Sequence, residues 1–267
     1  MHLTRALPLL LAGIFSLAAC SPQSEAPAGA DAPVVAPAPP DAHSAADSLD
    51  WPGYYHGIVP CASCPGIETW LRLDEVGGAV RYELVESYLE EANGLAVSEG
   101  EARWDDSGNV LQLAGEDERR VLAVSEDHVV FLGEDTGPAS ADPAYRLAKL
   151  ESYAGAGQQL LVDPVAIETE THPSGAPTLS FDALINFEHA VDGSVGPGHK
   201  SVRAHFVLDC ATGALEMPTA RYYREHFATG ALLDQVEDLD GNAVETSDED
   251  DPLRQFGERH CDAGAAE

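Results

Sequence analysis

The amino-acid sequence predicts an all-β protein, with a small antiparallel barrel followed by a second β-rich domain. Apolar and polar residues alternate with the two-residue period of a strand, most clearly at 67–74 and 179–187. Clusters of Gly, Asn, Asp and Ser separate these segments at regular intervals, as turns do. A helical period is nearly absent. Short, regularly spaced strands of this kind are typical of barrels and sandwiches.

The start of the chain is predicted to be a targeting signal. An apolar run from 7 to 17 is too short to cross a bilayer. It leads into Ala19-Cys20, which resembles a bacterial lipobox, so we expect residues 1–19 to be cleaved off and Cys20 to carry acyl chains such as palmitate. Ser21 resembles the sorting pattern of outer-membrane lipoproteins. The alternative is an ordinary secretory signal that is cut after Ala19.

Residues 20–50 are predicted to be a tether. They are rich in Pro and Ala up to residue 40 and contain no aromatic side chain. Such a composition cannot bury a core, and proline favours an extended chain. We therefore expect the lipid anchor to hold the folded domains away from an outer membrane, on its periplasmic or its surface face.

The charge of the chain limits its partners. The formal net charge is −32 over 267 residues, which argues against nucleic acid and against close contact with anionic lipid headgroups. The acidic run at 248–251 is predicted to be a solvated loop. The sequence contains no nucleophile elbow, phosphate loop, zinc-protease motif or dinucleotide fingerprint. We therefore predict that the protein is not an enzyme.

The first β-domain is predicted at residues 51–150. It contains a hairpin across 125–127 and a turn at 106–109, which follows the extended segment Ala102-Arg103-Trp104. Its predicted strands lie at 67–74, 80–85, 110–113, 120–124, 128–132 and 145–149.

The second β-domain is predicted at residues 158–263. Leu179 to Phe187 alternate along one long strand, and Val202 to Leu208 alternate along another, which ends at Asp209-Cys210.

Cysteine count and spacing predict two disulfides. With Cys20 assigned to the lipid, an even number of cysteines remains for an oxidising compartment. Pairing Cys61 with Cys64 and Cys210 with Cys261 keeps each bond within one domain. The other two connectivities, which would join the domains, remain open.

The region from 51 to 150 closely resembles the N-terminal domain of the NlpE family. The resemblance rests on the segment Gly57-Ile-Val-Pro-Cys61-Ala-Ser-Cys64-Pro-Gly-Ile-Glu-Thr69, on Trp51-x-Gly53-x-Tyr55 before it, and on the closing Tyr145-Arg-Leu147. NlpE proteins are outer-membrane lipoproteins linked to copper homeostasis and envelope stress signalling. The resemblance implies a lipocalin-like barrel of six strands and an envelope sensor protein as partner.

The second domain resembles a surface-adhesin-E type domain. In that family an Asp-Cys near a strand end pairs with a C-terminal Cys, here Cys210 with Cys261. Some NlpE proteins carry a different, OB-like second domain, so the stress-signalling role of that domain does not transfer directly.

Cys61 and Cys64 are the candidate chemical site. As thiolates they suit Cu(I), with His56 as a candidate third ligand. As a disulfide they cannot ligate a metal, and an oxidising periplasm favours that state. Thioredoxin-like catalysis is disfavoured because Pro65-Gly66 leads into a strand, whereas that chemistry needs a helix N-terminus.

Other polar and aromatic residues are predicted to be structural. We expect Glu68 and Thr69 to satisfy buried groups, and Trp51, Tyr54 and Tyr55 to pack the barrel. The remaining histidines of the second domain lack zinc spacing and are assigned no site: His172, His189, His199, His205, His226 and His260.

Three functions follow from these features. The leading one is an NlpE-type lipoprotein, held to the membrane by its lipid and involved in copper homeostasis or envelope stress sensing. The second is a binding module that holds an apolar ligand in the barrel mouth or presents a loop to an envelope enzyme or sensor kinase. The third is a surface adhesion lipoprotein.

Overall fold

The computed structural model describes residues 44–114, 120–133, 141–171, 176–193, 196–237, 243–246 and 248–263. Within these ranges the chain forms fourteen strands, all paired antiparallel, and two α-helices. The predicted all-β class is therefore confirmed. The signal segment 1–19, Cys20, most of the tether and His172 lie outside the described residues.

Eight strands form the first domain, and each pairs with the next along the chain. They are β1 (Gly53–Val59), β2 (Ile67–Val76), β3 (Ala79–Tyr88), β4 (Leu95–Trp104), β5 (Val110–Leu113), β6 (Arg120–Val124), β7 (His128–Leu132) and β8 (Arg146–Gly155). β1 also pairs with β8, at Tyr54 with Leu150 and His56 with Ala148, which closes the barrel.

The family resemblance implied six strands, and the structure corrects this number to eight. The predicted pattern at 67–74 nevertheless holds: Leu71 and Leu73 point inward and are almost fully buried, whereas Arg72 is exposed. The hairpin of β6 and β7 also lies where it was predicted. Only the end of β4, Ala102 to Trp104, was predicted, because its first residues, Leu95 to Glu99, are exposed on both faces and lack the alternation.

Side chains fill the interior of the barrel. The core consists of aliphatic and aromatic residues from all eight strands, including Tyr55, Leu84, Leu111 and Leu147, each at most 1% exposed. Small eight-stranded barrels can be filled by their own side chains or hold one ligand, and this packing favours the first arrangement.

The end of the predicted tether is docked onto the barrel. Residues Ala45–Ser48 form a short helix, α1. Ala45 is buried against the core, and its N–H donates to Oδ1 of Asn109 at 2.9 Å. The expectation of an extended chain was therefore wrong for this segment, because local alanines and a distant asparagine give it a small packed contact.

The second domain is a sheet covered on one face by a helix. Its further strands are β9 (Gln158–Val162), β10 (Glu168–Thr171), β11 (Pro177–Gly193), β12 (Gly196–Asp209), β13 (Ala214–Tyr223) and β14 (Leu232–Val236). The order is β8-β9-β11-β12-β13-β14, and β10 adds to the edge of β11. The predicted boundary near Leu150 lies inside β8, whose later residues pair with β9.

A second helix, α2 (Pro252–Ala263), packs on the inner face of this sheet. Its Phe256 is fully buried, 4.2 Å from Phe181 between ring centroids. Asp251 caps the helix by accepting from the Leu253 N–H at 2.8 Å, and Pro252 is the first helical residue.

No helix in the part of the chain that the structure describes has the length and apolar composition to span a bilayer. Both β-domains belong to one structural unit.

Candidate functional site: the cysteine loop and the domain junction

The Cys61–Cys64 pair lies in the loop that connects β1 to β2. The two cysteines are bonded to each other and partly exposed, whereas Ala62 and Ser63 between them are exposed. The Cys64 N–H donates to the Cys61 sulfur at 3.1 Å, so the bonded pair and its own backbone form one small ring.

Gly66 fixes the end of this loop against the rest of the barrel. Its carbonyl oxygen accepts from the Leu89 N–H at 3.0 Å and lies 3.2 Å from the Cys64 sulfur. A Cβ at this position would come within 2.6 Å of Ile58 Cγ2, which explains why a glycine follows Pro65.

Glu68, the second residue of β2, points outward and reaches the other domain. Its Oε1 lies 3.0 Å from His56 Nε2 and accepts a hydrogen bond from Arg203 Nη2 on β12. Burial raises the pKa of this carboxyl, but His56 and Arg203 outweigh that effect and bring the pKa below its usual value. Glu68 is thus structural, as predicted, but it pairs with a cation of the second domain rather than with backbone groups.

His56 has a different environment from the one its candidate copper role requires. Its ring stacks on Trp70 with 3.9 Å between centroids, and Nε2 is engaged with Glu68. His56 lies on β1, three residues before the strand ends at Val59, about 10 Å away at strand rise. The structure therefore does not bring His56 to the cysteines.

An apolar cluster joins the two domains next to Glu68. From the barrel it contains Tyr54, Trp70, Val85 and Leu150, and from the second domain Leu161, Leu184 and Phe227. Trp51, Tyr54 and Tyr55 were all predicted to pack the barrel. Trp51 and Tyr55 pack inside it, whereas Tyr54 packs on its outer face, in this junction.

Phe227 is the central side chain of the junction. Its ring lies 5.8 Å from that of Trp70 and 6.3 Å from that of Tyr54. Phe227 and Ala228 have φ values of 56° and 54°, which non-glycine residues rarely adopt. The Phe227 N–H donates to Oδ1 of the buried Asn186 at 2.9 Å, which stabilises this turn.

A partly buried ion pair lies inside the barrel, where the Arg120 side chain remains 30% exposed. Arg120 of β6 donates to Glu86 of β3, whose side chain is 6% exposed. Sequence reasoning missed this pair. The alternation of β3 offered a signal, because Glu86 occupies an inward position two residues after Leu84.

Cys210 is bonded to Cys261, which joins the end of β12 to α2. A second tie lies nearby, where Glu151 Oε2 is 2.7 Å from His260 Nε2 and accepts from the Tyr153 hydroxyl at 2.6 Å. Burial and the neighbouring Glu151 raise the pKa of Tyr153, so its hydroxyl stays protonated. These contacts hold the helix on the sheet.

His205 lies between two oxygens on the outer face of the sheet. Its Nδ1 is 2.9 Å from Asp182 Oδ1 and its Nε2 is 3.0 Å from Ser180 Oγ. The order of groups is that of a hydrolase triad. However, Ser180 lies mid-strand and is paired on both sides, with Glu168 and Val207, so the backbone around it is committed to the sheet and does not form an oxyanion hole.

In the part of the chain that the structure describes, no group of three or more His, Cys, Asp or Glu side chains is arranged to hold a metal ion. Of the histidines without an assigned site, His199 is buried between Phe187 and Tyr222, and burial lowers its pKa.

Comparison with known proteins identifies both domains. Residues 55–142 match the family model of the NlpE N-terminal domain, and residues 148–262 match that of surface-adhesin protein E. No curated protein matches the chain.

Two solved structures are similar to parts of the chain. A proposed lipoprotein from Shewanella oneidensis is 32% identical over 40% of this chain and 94% of its own, with a TM-score of 0.34. The Cpx pathway activator NlpE from Escherichia coli is 18% identical over 67% of this chain and 100% of its own, with a TM-score of 0.29.

The two family matches together account for both folded parts of the molecule. The first includes the cysteine loop, and the second includes Cys210 and Cys261. The chain therefore carries a region similar to the NlpE N-terminal domain, followed by a region similar to the surface-adhesin protein E domain.

Proposed function

We propose that the protein is an outer-membrane lipoprotein of NlpE type that reports on the redox state of the cell envelope through Cys61 and Cys64. The observation that carries this proposal is the position of the pair, in an exposed loop of the NlpE domain. A disulfide between residues three positions apart constrains little chain, so the entropy model gives it less than about 2 kcal/mol of stability. The pair can therefore open while the barrel stays folded.

Opening of the pair has a direct structural route to the second domain. One thiolate of an envelope dithiol attacks a sulfur of the Cys61–Cys64 bond and forms a mixed disulfide with it. The second thiol of the dithiol then displaces that cysteine, so the dithiol leaves as a disulfide and Cys61 and Cys64 are both reduced to thiols. The loop then loses its ring beside Gly66, two residues before Glu68. Because Glu68 pairs with Arg203, a shift at the start of β2 changes the contact between the domains.

Copper is the second part of the proposal. Once reduced, Cys61 and Cys64 supply two soft thiolates in one short loop, which suits two-coordinate Cu(I). His56 is not needed in such a site, in keeping with its engagement by Glu68 and Trp70. Copper binding and the disulfide exclude each other, because Cu(I) binds only the reduced thiolates. The same two sulfurs would therefore respond both to copper and to the redox state of the envelope.

The proposal also includes a location in the cell and a partner protein. Lipidation of Cys20 would hold the protein at the outer membrane, with an envelope sensor protein as partner and no catalytic step of its own. Palmitate labelling of cells tests the anchor. We expect label in the natural protein and none in a Cys20→Ala variant, and equal labelling of both would refute it.

A stress reporter in cells tests the sensing role. Overproduced protein carrying Cys61→Ser and Cys64→Ser should give a reporter response that no longer changes with external reductant or copper. The matched control is the Cys210→Ser, Cys261→Ser variant. An unchanged response to both reductant and copper in the first variant would contradict the proposal.

A direct metal titration separates copper from redox. Reduced full-length protein in detergent should bind one Cu(I), and the Cys61→Ser, Cys64→Ser variant should lose that binding, whereas His56→Gln should keep it. Equal Cu(I) affinity of the natural protein and the double variant would remove the metal role.

A second candidate function rests on the second domain, which matches the surface-adhesin protein E family. In this case the domain would meet a partner outside the cell. Protease treatment of intact cells should then cleave it, and protection of the domain until the cells are lysed would exclude this role.

A further inference from the structure

A groove lies beside the apolar cluster, where the barrel meets the open half of the second sheet. We call it the junction groove. Its volume is about 460 Å³, within the range of about 300–1,000 Å³ that is usual for small-ligand sites. The outer face of β11 to β14 forms the floor and the barrel forms one wall. The polar and aromatic residues used below are His56, Trp70, Asp182, Arg203, His205 and Arg221.

Two arginines lie side by side on the floor of the junction groove. Arg203 of β12 is directly opposite Arg221 of β13 in the sheet register, and like charges opposite each other destabilise a sheet. Glu68 neutralises Arg203 from the barrel side. Arg221 Nε donates to the neutral amide oxygen of Gln235 at 3.1 Å. No carboxylate among the described residues forms an ion pair with Arg221, so its charge remains available to an anion.

The remaining lining of the groove sets the kind of anion that fits. Asp182 engages His205 at 2.9 Å and is 81% exposed at its side chain, and Asp163 and Glu237 also line the groove. These carboxylates accept hydrogen bonds but repel additional negative charge. A phosphate dianion is therefore disfavoured by its second negative charge. A fatty acid is disfavoured because it has no N–H or O–H group to donate a hydrogen bond to these carboxylates. Small apolar surfaces from Leu184 and Val236 complete the lining.

We propose that the junction groove binds the carboxyl terminus of a short extended peptide. The single negative charge of the terminal carboxylate faces Arg221, with Arg203 beside it, and a guanidinium matches a carboxylate with two parallel hydrogen bonds. The peptide N–H groups face Asp182 and Glu237. Small side chains fit against Leu184 and Val236. Capture of a terminal carboxylate is a known mode of peptide recognition.

Binding to the full-length protein in detergent tests this proposal with N-acetyl-trialanine as the probe. The form with a free carboxylate should bind saturably at neutral pH, and its carboxamide should bind at least about tenfold more weakly, a difference of about 1.4 kcal/mol. Arg221→Gln should weaken binding of the free acid by a similar factor, because it keeps a polar group but removes the charge. Arg221→Lys should give an affinity between those of the natural protein and Arg221→Gln, because lysine keeps the positive charge but cannot donate two parallel hydrogen bonds to the carboxylate.

Controls separate a groove site from general charge attraction. Arg103→Gln removes an exposed arginine of β4 and should leave binding unchanged. Equal binding of acid and carboxamide, tighter binding of inorganic phosphate or octanoate, or absence of saturable binding at millimolar peptide would each overturn the proposal. A thermal melt of each variant checks that it is folded.

Discussion

Glu68 and Arg203 form an ion pair across the junction between the two β-domains. Glu68 is part of the Pro-Cys-x-x-Cys-Pro-Gly-Ile-Glu-Thr segment of the first domain, and Arg203 is 135 positions further along the chain. The Glu68 side chain is 14% exposed and that of Arg203 is 35% exposed. A residue of the cysteine segment thus takes part in docking the second domain.

Removal of the cation should destabilise the protein measurably. Arg203→Met leaves Glu68 nearly buried without its charged donor, which should reduce the free energy of unfolding by about 1–2 kcal/mol. Urea unfolding of the full chain measures this. Arg81→Met is the matched control, since Arg81 lies 3.8 Å from Glu101 and both side chains are more than half exposed. Its effect should stay within about 0.5 kcal/mol, and equal losses in both variants would contradict the assignment.

The Glu68 contact should also depend on pH with a definite sign. Its pKa in the folded protein lies below the ordinary value of 4.5, so the charged carboxylate stabilises the fold above that value. The stability is lost as the pH falls through the lowered pKa. The difference in unfolding free energy between the natural protein and Glu68→Gln should therefore be constant near neutral pH and shrink below about pH 4.5. A difference that grows on acidification would refute this explanation.

Phe227 should be the most sensitive apolar residue of the junction. It is 7% exposed and contacts two aromatic rings of the barrel. Truncation of a buried phenylalanine costs about 3–5 kcal/mol, so Phe227→Ala should lower the unfolding free energy by about 3 kcal/mol. Leu232→Ala is the control, because Leu232 is 49% exposed, and it should change stability by well under 1 kcal/mol. Comparable effects would mean that the junction is not packed as described.

The two disulfides should differ in their contribution to stability. Cys210–Cys261 spans a separation of 51 residues, for which the entropy model gives about 4 kcal/mol. Cys61–Cys64 spans three and should contribute less than about 2 kcal/mol. Denaturant unfolding of the two Cys→Ser double variants measures both values. A larger loss for the Cys61→Ser, Cys64→Ser variant would assign that pair a structural role.

Much of the barrel could be predicted because strand alternation is a local pattern. Leu71 and Leu73 alternate with Arg72, and the fold places them inside and outside accordingly. The helix α2 was missed, although Asp251-Pro252 is a good helix start and Leu253, Phe256 and His260 share one face. Its apolar face includes a histidine and a cysteine, so the helical period of apolar residues was not recognised in the sequence.

The domain junction could not be predicted from local pattern. The sequence shows Glu68 as one more outward-facing acid among many, and its partner is set by how two domains pack. The same holds for His56, whose spacing to Cys61 suggested a ligand. A strand holds it on the outer face instead, beside Trp70 and Glu68.

The reduction potentials of the two disulfides test the central claim most directly. Folding and disulfide formation are linked, so a disulfide that stabilises the fold is itself made harder to reduce by folding, by the same free energy. A difference of about 2 kcal/mol between the two disulfides corresponds to a difference of roughly 50 mV in reduction potential. After equilibration in thiol buffers, alkylation and mass spectrometry, Cys61–Cys64 should open at a potential about 50 mV less negative than Cys210–Cys261, with the protein still folded. Opening of both pairs at one potential, or of Cys210–Cys261 first, would contradict a redox-reporting role for the cysteine loop.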